Sequence, residues 1–437
     1  MNTSPIARYF RFAQLQTSFN REIVGGLTTF VTMAYIVVVN PKILEAAGIP
    51  FGPSMVATAL SAFFGTLAMG VYARRPFAIA PYMGENAFIA ITVVQVMGYS
   101  WQTALGAIFI GGVLFTIISL CGVRRWLAEA IPDSLKVSFA VGIGLFLTFV
   151  GLNSTGVVTL GVEGAPVDVG DLTSTPIVLA LLGFLLIGIL SVRKVLAAML
   201  IGILATAAVA FAVNAAPLPD RIVSLPPSLA PIFMEFDLTG ALHWGFFSVI
   251  LTVLVTAFVD TTGTLLGMAY KAGMLDDKGH LPEIEKPMLC DALSTVAASC
   301  FGTTTAGAYL ESAAGIEAGA RSGFSAVVTA FLFLLTLFFA PVLTAVPACA
   351  YGPALWFVGL MMLSPITKLP FDDLTETIPA FTVIILMCFT LNLGIGLTSG
   401  FVAYPLLKVL TGRWREVKPG GWVLGVLAAL FFVFYPY

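Results

Sequence analysis

An acidic residue lies in the middle of a long apolar run. Asp260 is flanked on both sides by apolar residues in the stretch FFSVILTVLVTAFVDTTGTLLGMAYKAGML. Thr256, Asp260 and Thr264 follow one another at intervals of four residues, so a helix places their side chains on one face. A charge at membrane depth costs about 2.5–3.5 kcal/mol on insertion scales. We therefore predict that Asp260 and Thr264 line an interior binding site; the alternative is a structural acid satisfied by the hydroxyls.

A second acid, Glu311, follows a stretch that is a poor helix former. Residues 302–308 read GTTTAGA, which combines small flexible residues with three threonines. Non-helical backbone at membrane depth is tolerated only where it is buried in protein or lines a cavity. A short helix beginning near Glu311 would direct its first amides towards that cavity. We predict that Glu311 and Thr304 contact a polar ligand; the alternative for Glu311 is an acid that merely starts a helix.

The first half of the chain contains a similar interrupted stretch, AIAPYMGENAF, which holds Glu85 and Asn86. An asparagine amide offers both a donor and an acceptor, which suits the edge of a heterocycle. Glu85 points to another side of a helix and ranks below Asn86 as a ligand-binding candidate. Matching interrupted segments in two halves are typical of secondary transporters and indicate the binding site. Asp291, by contrast, opens its segment and is expected at the inner surface, in contact with water.

Composition places the chain in a membrane. Of its 437 residues, 59% are hydrophobic and only 10% are charged, whereas soluble domains contain roughly 25% charged residues. The sequence shows about fourteen apolar segments, interrupted in the third and tenth, and a membrane-spanning helix needs about 20 residues. The alternation typical of membrane β-barrels is absent. We predict an all-α, multi-pass membrane protein, in which 421–436 either spans the membrane or lies at the interface.

Charge distribution indicates the topology. Basic pairs such as Arg74–Arg75 and Arg124–Arg125 fall in loops on one side, whereas acids such as Asp168 and Asp171 fall on the other. The positive-inside rule then predicts a cytoplasmic N-terminus. The proline-rich linker 214–242 divides the chain into halves of seven segments each. Because seven is odd, the second half has inverted topology, which is typical of transporters.

Several motifs resemble those of the nucleobase–cation symporters, specifically the purine permeases of the azaguanine-resistance type. They are GGLTTFVTMAYIVVVNPKIL, APYMGENAF, FVGLN, FVDTTGTLLGMAYKAGML and AGAYLESAAGIEAGARSG, and the resemblance covers nearly the whole chain. The resemblance implies a 7+7 inverted repeat with a core domain and a gate domain. The implied boundaries are a cytoplasmic N-terminus (1–22), core (23–130), gate (131–213), extracellular linker (214–242), core (243–345) and gate (346–437).

The resemblance also implies a site and an activity. A nucleobase would lie between the third and tenth segments, in contact with Asp260, Glu311 and Asn86. In a related uracil symporter a histidine occupies the position of Thr264. The expected activity is import of a purine such as adenine, guanine or hypoxanthine by an elevator-type mechanism. Asp260 and Glu311 would couple transport to protons, with sodium as the alternative ion, and neither a metal nor an organic cofactor is expected.

One departure from the family pattern concerns the substrate. Many members have an apolar residue before the third-segment asparagine, where this chain has Glu85, so the base stays open between purines, xanthine and uracil. An anion transporter of the same fold is a further alternative, but two buried carboxylates would repel an anion. A channel and an intramembrane enzyme are the remaining classes, and no ATP-binding loop motif is present. The expected setting is the inner membrane, with lipid and a second copy of the chain as partners and no nucleic acid.

Overall fold

The computed structural model describes residues 4–121, 130–162, 165–219, 221–242, 247–276 and 281–434. Within these residues, nine helical runs are long and apolar enough to cross a membrane, and four shorter helices are also apolar. The prediction of an all-α, multi-pass membrane protein is confirmed. The helix of the last apolar stretch has only 16 residues, or about 24 Å at 1.5 Å per residue, shorter than the hydrocarbon core of about 30 Å.

The α-helices of the described residues are α1 (Pro5–Tyr9), α2 (Phe19–Met33), α3 (Ile36–Glu45), α4 (Phe51–Ala68), α5 (Met83–Ala87), α6 (Trp101–Leu120), α7 (Asp133–Ser154), α8 (Thr175–Val192), α9 (Ala198–Ala212), α10 (Leu238–Ala241), α11 (Phe247–Lys271), α12 (Glu285–Phe301), α13 (Ser312–Glu317), α14 (Gly323–Thr336), α15 (Ala340–Ala345), α16 (Ala348–Leu363), α17 (Leu374–Phe389), α18 (Leu393–Leu410) and α19 (Pro419–Phe434). The π-helical turns Met69–Ala73 and Phe88–Val96 continue α4 and α5, and 3₁₀ turns cover Leu337–Phe339, Ser364–Lys368 and Trp414–Glu416.

Four short strands form two antiparallel pairs. Strands β2 (Val158–Val162) and β3 (Ala165–Val169) form a hairpin that the sequence analysis did not predict. Strands β1 (Ile79–Pro81) and β4 (Ala306–Ala308) pair with Ile79 opposite Ala308 and Pro81 opposite Ala306. These two strands lie in the third and tenth segments, and each is followed by a short helix, α5 and α13. The predicted interruptions of both segments are therefore confirmed.

The helices pack in two groups. In one group, α12 packs on α4 and α6, α14 packs on α2 and α4, and α13 packs on α2. In the other, α7 packs on α16 and α17, α8 packs on α9 and α16, and α18 packs on α17. The boundaries of the core and gate domains stay predictions, but the two groups contain the helices that those domains would contain.

Small residues let the short helix α13 approach the first span closely. A Cβ atom at Gly315 would lie 1.9 Å from Thr29 Oγ1 and 2.5 Å from the carbonyl oxygen of Gly25. Glu22, a buried acid on α2, accepts hydrogen bonds from the amides of Arg321 and Ser322 at 3.0 and 3.2 Å. These bonds hold the residues between α13 and α14 against α2. The residues around α13 are thus fixed to α2, which lies in the other half of the chain.

A buried lysine holds the second group together. The side chain of Lys408, on α18, is 0% exposed, and its Nζ atom lies 2.8 Å from Glu376 on α17 and 2.7 Å from Glu416. The hydroxyl of Ser134, on α7, donates to Glu376 at 2.5 Å. Breaking a buried ion pair by removing one partner leaves an uncompensated charge.

We predict that Lys408→Met destabilises the protein by roughly 3 kcal/mol, at the lower end of the range for buried pairs because both carboxylates are partly exposed. The measurement is thermal unfolding of the detergent-solubilised protein, with the exposed Lys418→Met as the matched control. Equal melting temperatures for the two variants would contradict this assignment.

We predict that the stability of the fold depends on pH through two acids beside Arg413. Hydrogen bonds from Arg413 and Lys408 lower the pKa of Glu416 to about 2, and hydrogen bonds from Thr375 and Arg413 lower the pKa of Asp373 to about 2. Because both pKa values are depressed in the folded state, the stabilisation is present above the unfolded values, near 4, and is lost as the pH falls towards about 2. Arg413→Gln should therefore reduce the fall in melting temperature between pH 5 and pH 3, and an unchanged fall would contradict the prediction.

Candidate substrate-binding site

The paired strands β1 and β4 form the frame of the site, and side chains satisfy the outer edge of β1. The hydroxyl of Thr66 accepts from the amide of Ile79 and donates to its carbonyl oxygen, both at 2.9 Å. The amide of Ala78 donates to the hydroxyl of Ser312 at 2.9 Å. Ser312 is the first residue of α13, so the second half of the chain fixes the first-half strand.

The outer edge of β4 is satisfied by two residues of α12. Asp291 accepts from the amide of Ala308 at 2.7 Å, and the hydroxyl of Thr295 donates to the carbonyl oxygen of Ala306 at 2.9 Å. The other carboxylate oxygen of Asp291 accepts from the hydroxyl of Thr261. Asp291 is 0% exposed, so the expectation that it contacts water at the inner surface is wrong.

Glu85 lies directly after this frame, in the first turn of α5. Glu85 is 1% exposed, and neither of its carboxylate oxygens has a hydrogen-bond partner among the described residues. The hydroxyls of Thr256 and Thr305 lie beside it, outside hydrogen-bonding geometry, and Asp260 lies within electrostatic range. Glu85, which ranked below Asn86 in the sequence analysis, is thus a buried acid within electrostatic range of Asp260.

Open space adjoins Asp260 on α11. Gly263 is exposed, and no heavy atom beyond its own helix backbone and chain neighbours lies within 4 Å of a Cβ atom placed there. Thr264 lies one turn after Asp260 and is partly buried, as Asp260 is. This face of α11 therefore leaves room for a small ligand.

Asn86, the residue after Glu85 on α5, lies in a network of hydrogen-bonded side chains around Asn40. Its Nδ2 atom donates to the side-chain oxygen Oδ1 of Asn40, whose own Nδ2 atom donates to Thr58 at 2.7 Å and Thr303 at 3.0 Å. The Oδ1 atom of Asn86 has no partner among the described residues, and the buried hydroxyl of Thr304 has none there either. Sequence reasoning missed Asn40, which lies inside an apolar run of the first segment.

Glu311 is held from the other half of the chain. The hydroxyl of Tyr35, at the break between α2 and α3, donates to its carboxylate at 2.8 Å. Tyr309, two residues before Glu311, stacks on Tyr82 of the first half, with ring centroids 6.3 Å apart and 12° between the ring planes. The Tyr309 hydroxyl donates to the carbonyl oxygen of Pro81. Aromatic surface therefore flanks the crossing of the two strands.

The arrangement leaves several buried polar atoms without partners. A buried polar atom that lacks a hydrogen bond costs about 1–3 kcal/mol, and the described residues leave Glu85, Asn86, Thr304 and Thr305 with such atoms. The carboxylate and amide oxygens accept hydrogen bonds, whereas the threonine hydroxyls can both donate and accept. A ligand with N–H donors and acceptor nitrogens would therefore remove this cost. Asp260 lies within electrostatic range of Glu85, whereas the Glu311 carboxylate accepts from Tyr35.

A separate cavity of about 230 Å³ lies between the two groups of helices. Its lining combines residues of α3 and the helical turn after α5 with residues of α7 and α16. Polar members of the lining are Lys42, Gln95, Asn153, Ser154 and Tyr351. The cavity shows that the two groups are not closely packed along their whole boundary.

Two interrupted segments that cross inside a membrane bundle, with buried acids around the crossing, define a transporter of the inverted-repeat class. The transmembrane domain of a cyanobacterial bicarbonate transporter, BicA, superposes with a TM-score of 0.65 and 14% identity, covering 87% of this chain and 97% of that one. The murine anion transporter Slc26a9 in its inward-facing state gives a TM-score of 0.63 and 13% identity, covering 90% and 69%. At these identities the likeness concerns the fold alone.

Sequence comparison defines the family. The family model of the xanthine and uracil permeases, a permease family, matches residues 20–403. The guanine/hypoxanthine permease PbuG of Bacillus subtilis is 41% identical, with 98% of this chain and 99% of that protein covered. The adenine permease AdeQ of Escherichia coli is 40% identical, with 98% and 95% covered. The chain belongs to this permease family, as the resemblance in the sequence indicated, and is a transporter rather than an enzyme.

We predict that Asp291→Ala destabilises the protein by roughly 1–3 kcal/mol, because the amide of Ala308 loses its acceptor in a buried position. Asp291→Asn retains one acceptor oxygen and should fall between the wild type and Asp291→Ala. Thermal unfolding measures both, with the exposed Asp372→Ala as the matched control. If Asp291→Ala and Asp372→Ala unfold alike, Asp291 does not anchor β4.

Proposed function

We propose that this permease imports a purine nucleobase, such as adenine, guanine or hypoxanthine, by proton symport. The observation that carries the proposal is the set of buried polar atoms without partners around the strand crossing. A purine is a flat heterocycle with N–H donors along its edges, and its faces suit the aromatic and small residues of the site. The relatives named above as adenine and guanine/hypoxanthine permeases support the same substrate class.

The proposed roles follow from position. Glu311 and Asp260 accept hydrogen bonds from N–H groups of the base, and each is a candidate carrier of the coupled proton. Asn86 and Thr304 offer polar atoms that no described protein group satisfies, and Thr264 lies on the ligand-facing side of α11. Protonation would reduce the buried negative charge, which is costly inside a membrane. No cofactor is needed for this cycle, and sodium is the alternative coupling ion.

Alternating access would follow from movement of one helix group against the other. The group that contains β1, β4 and α11 would carry the base, and the group around α7 and α16 would stay in place. The cavity between the groups supports a boundary along which such sliding takes place. We further propose an inner-membrane location with a cytoplasmic N-terminus, lipid around the bundle, and assembly as a homodimer.

Ligand binding is the first test. Purines, xanthine, uracil and bicarbonate are added singly to the purified protein, and thermal unfolding is measured. A bound ligand stabilises the folded state, by about 2.7 kcal/mol at a concentration of 100 Kd. We expect one or more purines to raise the melting temperature. If only uracil, xanthine or bicarbonate raises the melting temperature, that ligand and not a purine is the substrate.

Uptake into proteoliposomes tests the site. We predict that Asp260→Asn and Glu311→Gln each lower the initial rate of purine uptake at least about tenfold, because a hydrogen bond to a charged group contributes about 1.5–3 kcal/mol. Glu235→Gln is the control, since Glu235 is exposed and lies far along the chain from the site segments. If both variants retain full uptake, the site assignment is wrong.

A further inference from the structure

Glu85 is a buried acid without a counter-charge. Both of its oxygens lack a hydrogen-bond partner among the described residues, although the side chain is almost completely buried. It lies in the first turn of α5, directly after the strand that pairs with β4. A carboxylate in this state is much more costly than the acids around it, each of which accepts at least one hydrogen bond or is partly exposed.

The groups that face Glu85 come from three elements. Asp260 on α11 is its strongest electrostatic neighbour, Asp291 on α12 is a weaker one, and Tyr82 precedes it in its own segment. Within the described part of the chain, none of the ion pairs includes any of these acids. Like charges within electrostatic range of one another in a poorly solvated site disfavour the ionised form of each.

Asp291 and Glu311 are bound differently. Asp291 accepts hydrogen bonds from the amide of Ala308 and from Thr261, which stabilise its ionised form. Glu311 accepts from Tyr35 and is partly exposed. Glu85 remains as the buried carboxylate that no described protein group stabilises in its ionised form.

We propose that Glu85 binds the coupled proton, so that it is a proton-coupling residue and not only a substrate contact. This inference rests on the proposed function. A protonated Glu85 presents one O–H donor and one acceptor oxygen, a pattern that complements the alternating ring nitrogens and N–H groups of a purine edge. Loss of the proton towards the cytoplasm leaves a buried carboxylate that no described protein group stabilises, and the donor that held the base is gone.

The first readout is the proton itself. Purine is added to purified protein in a weakly buffered solution, and a pH indicator reports the protons taken up or released on binding at several pH values. We expect the wild type to exchange up to one proton per bound base, with an amount that depends on pH. In Glu85→Gln the amide cannot titrate, so the exchange should fall by at least half and binding should depend less on pH.

The second readout is concentrative uptake. For one coupled proton, each pH unit across the membrane supports up to about tenfold accumulation, equivalent to 1.36 kcal/mol. In Glu85→Gln, accumulation driven by the pH gradient should fall strongly. Exchange of internal for external base, which needs no pH gradient, should fall less. Glu85→Asp keeps a carboxylate and should retain gradient-driven accumulation, and Glu235→Gln is the exposed control.

Each other outcome has a separate meaning. If Glu85→Gln accumulates purine like the wild type and exchanges as many protons on binding, Glu85 does not couple protons. If the variant loses exchange and accumulation equally while still folding, Glu85 is a substrate contact alone. Wild-type accumulation that follows a sodium gradient instead overturns the proton on Glu85 but leaves purine transport intact. A wild type that neither binds nor exchanges any purine contradicts the proposed function itself.

Discussion

The fold depends on one requirement: the backbone groups of β1 and β4 need hydrogen bonds where no water supplies them. The strands satisfy each other on their inner edges, and three side chains satisfy the outer edges. Thr66 serves β1, and Asp291 and Thr295 serve β4. Ser312 accepts from the amide of Ala78, the residue before β1. Ser312 bonds a backbone amide 234 positions away in the chain. Neither half can therefore build its interrupted segment alone, and the crossing that forms the site exists only when both halves fold together.

This requirement also sorts the buried acids. Asp291 and Glu22 accept hydrogen bonds from backbone amides and thereby hold β4 and the residues before α14 in place. They are part of the frame. Glu85 accepts no hydrogen bond from the described residues, so no protein group there offsets the free-energy cost of burying its carboxylate. The strand backbone groups, Asp291 and Glu22 have hydrogen-bond partners, whereas Glu85 has none among the described residues. We therefore assign the ligand and ion chemistry to Glu85 and its neighbour Asp260.

The interrupted segments could be predicted from the sequence because glycine, proline and threonine in an apolar run are poor helix formers. Asp260 stood out because apolar residues surround it on both sides. Asn40, Asp291 and Tyr35 did not, since each depends on a partner far away in the chain: Asn40 on Asn86, Asp291 on Ala308 and Thr261, and Tyr35 on Glu311. Sequence position alone suggested that Asp291 lies near water. The β2–β3 hairpin was not predicted because each of its strands has only five residues and lies in a linker between two apolar segments.

Two adjacent residues of α11 connect the frame to the site. The hydroxyl of Thr261 donates to Asp291, and through it to the anchor of β4, and also lies 3.3 Å from the hydroxyl of Tyr82. Asp260, the residue before it, lies within electrostatic range of Glu85. The same helix contacts α7 and α18 of the opposite helix group, and also α19. A change of charge at Asp260 therefore arises on the element that joins the strand crossing to the boundary between the groups.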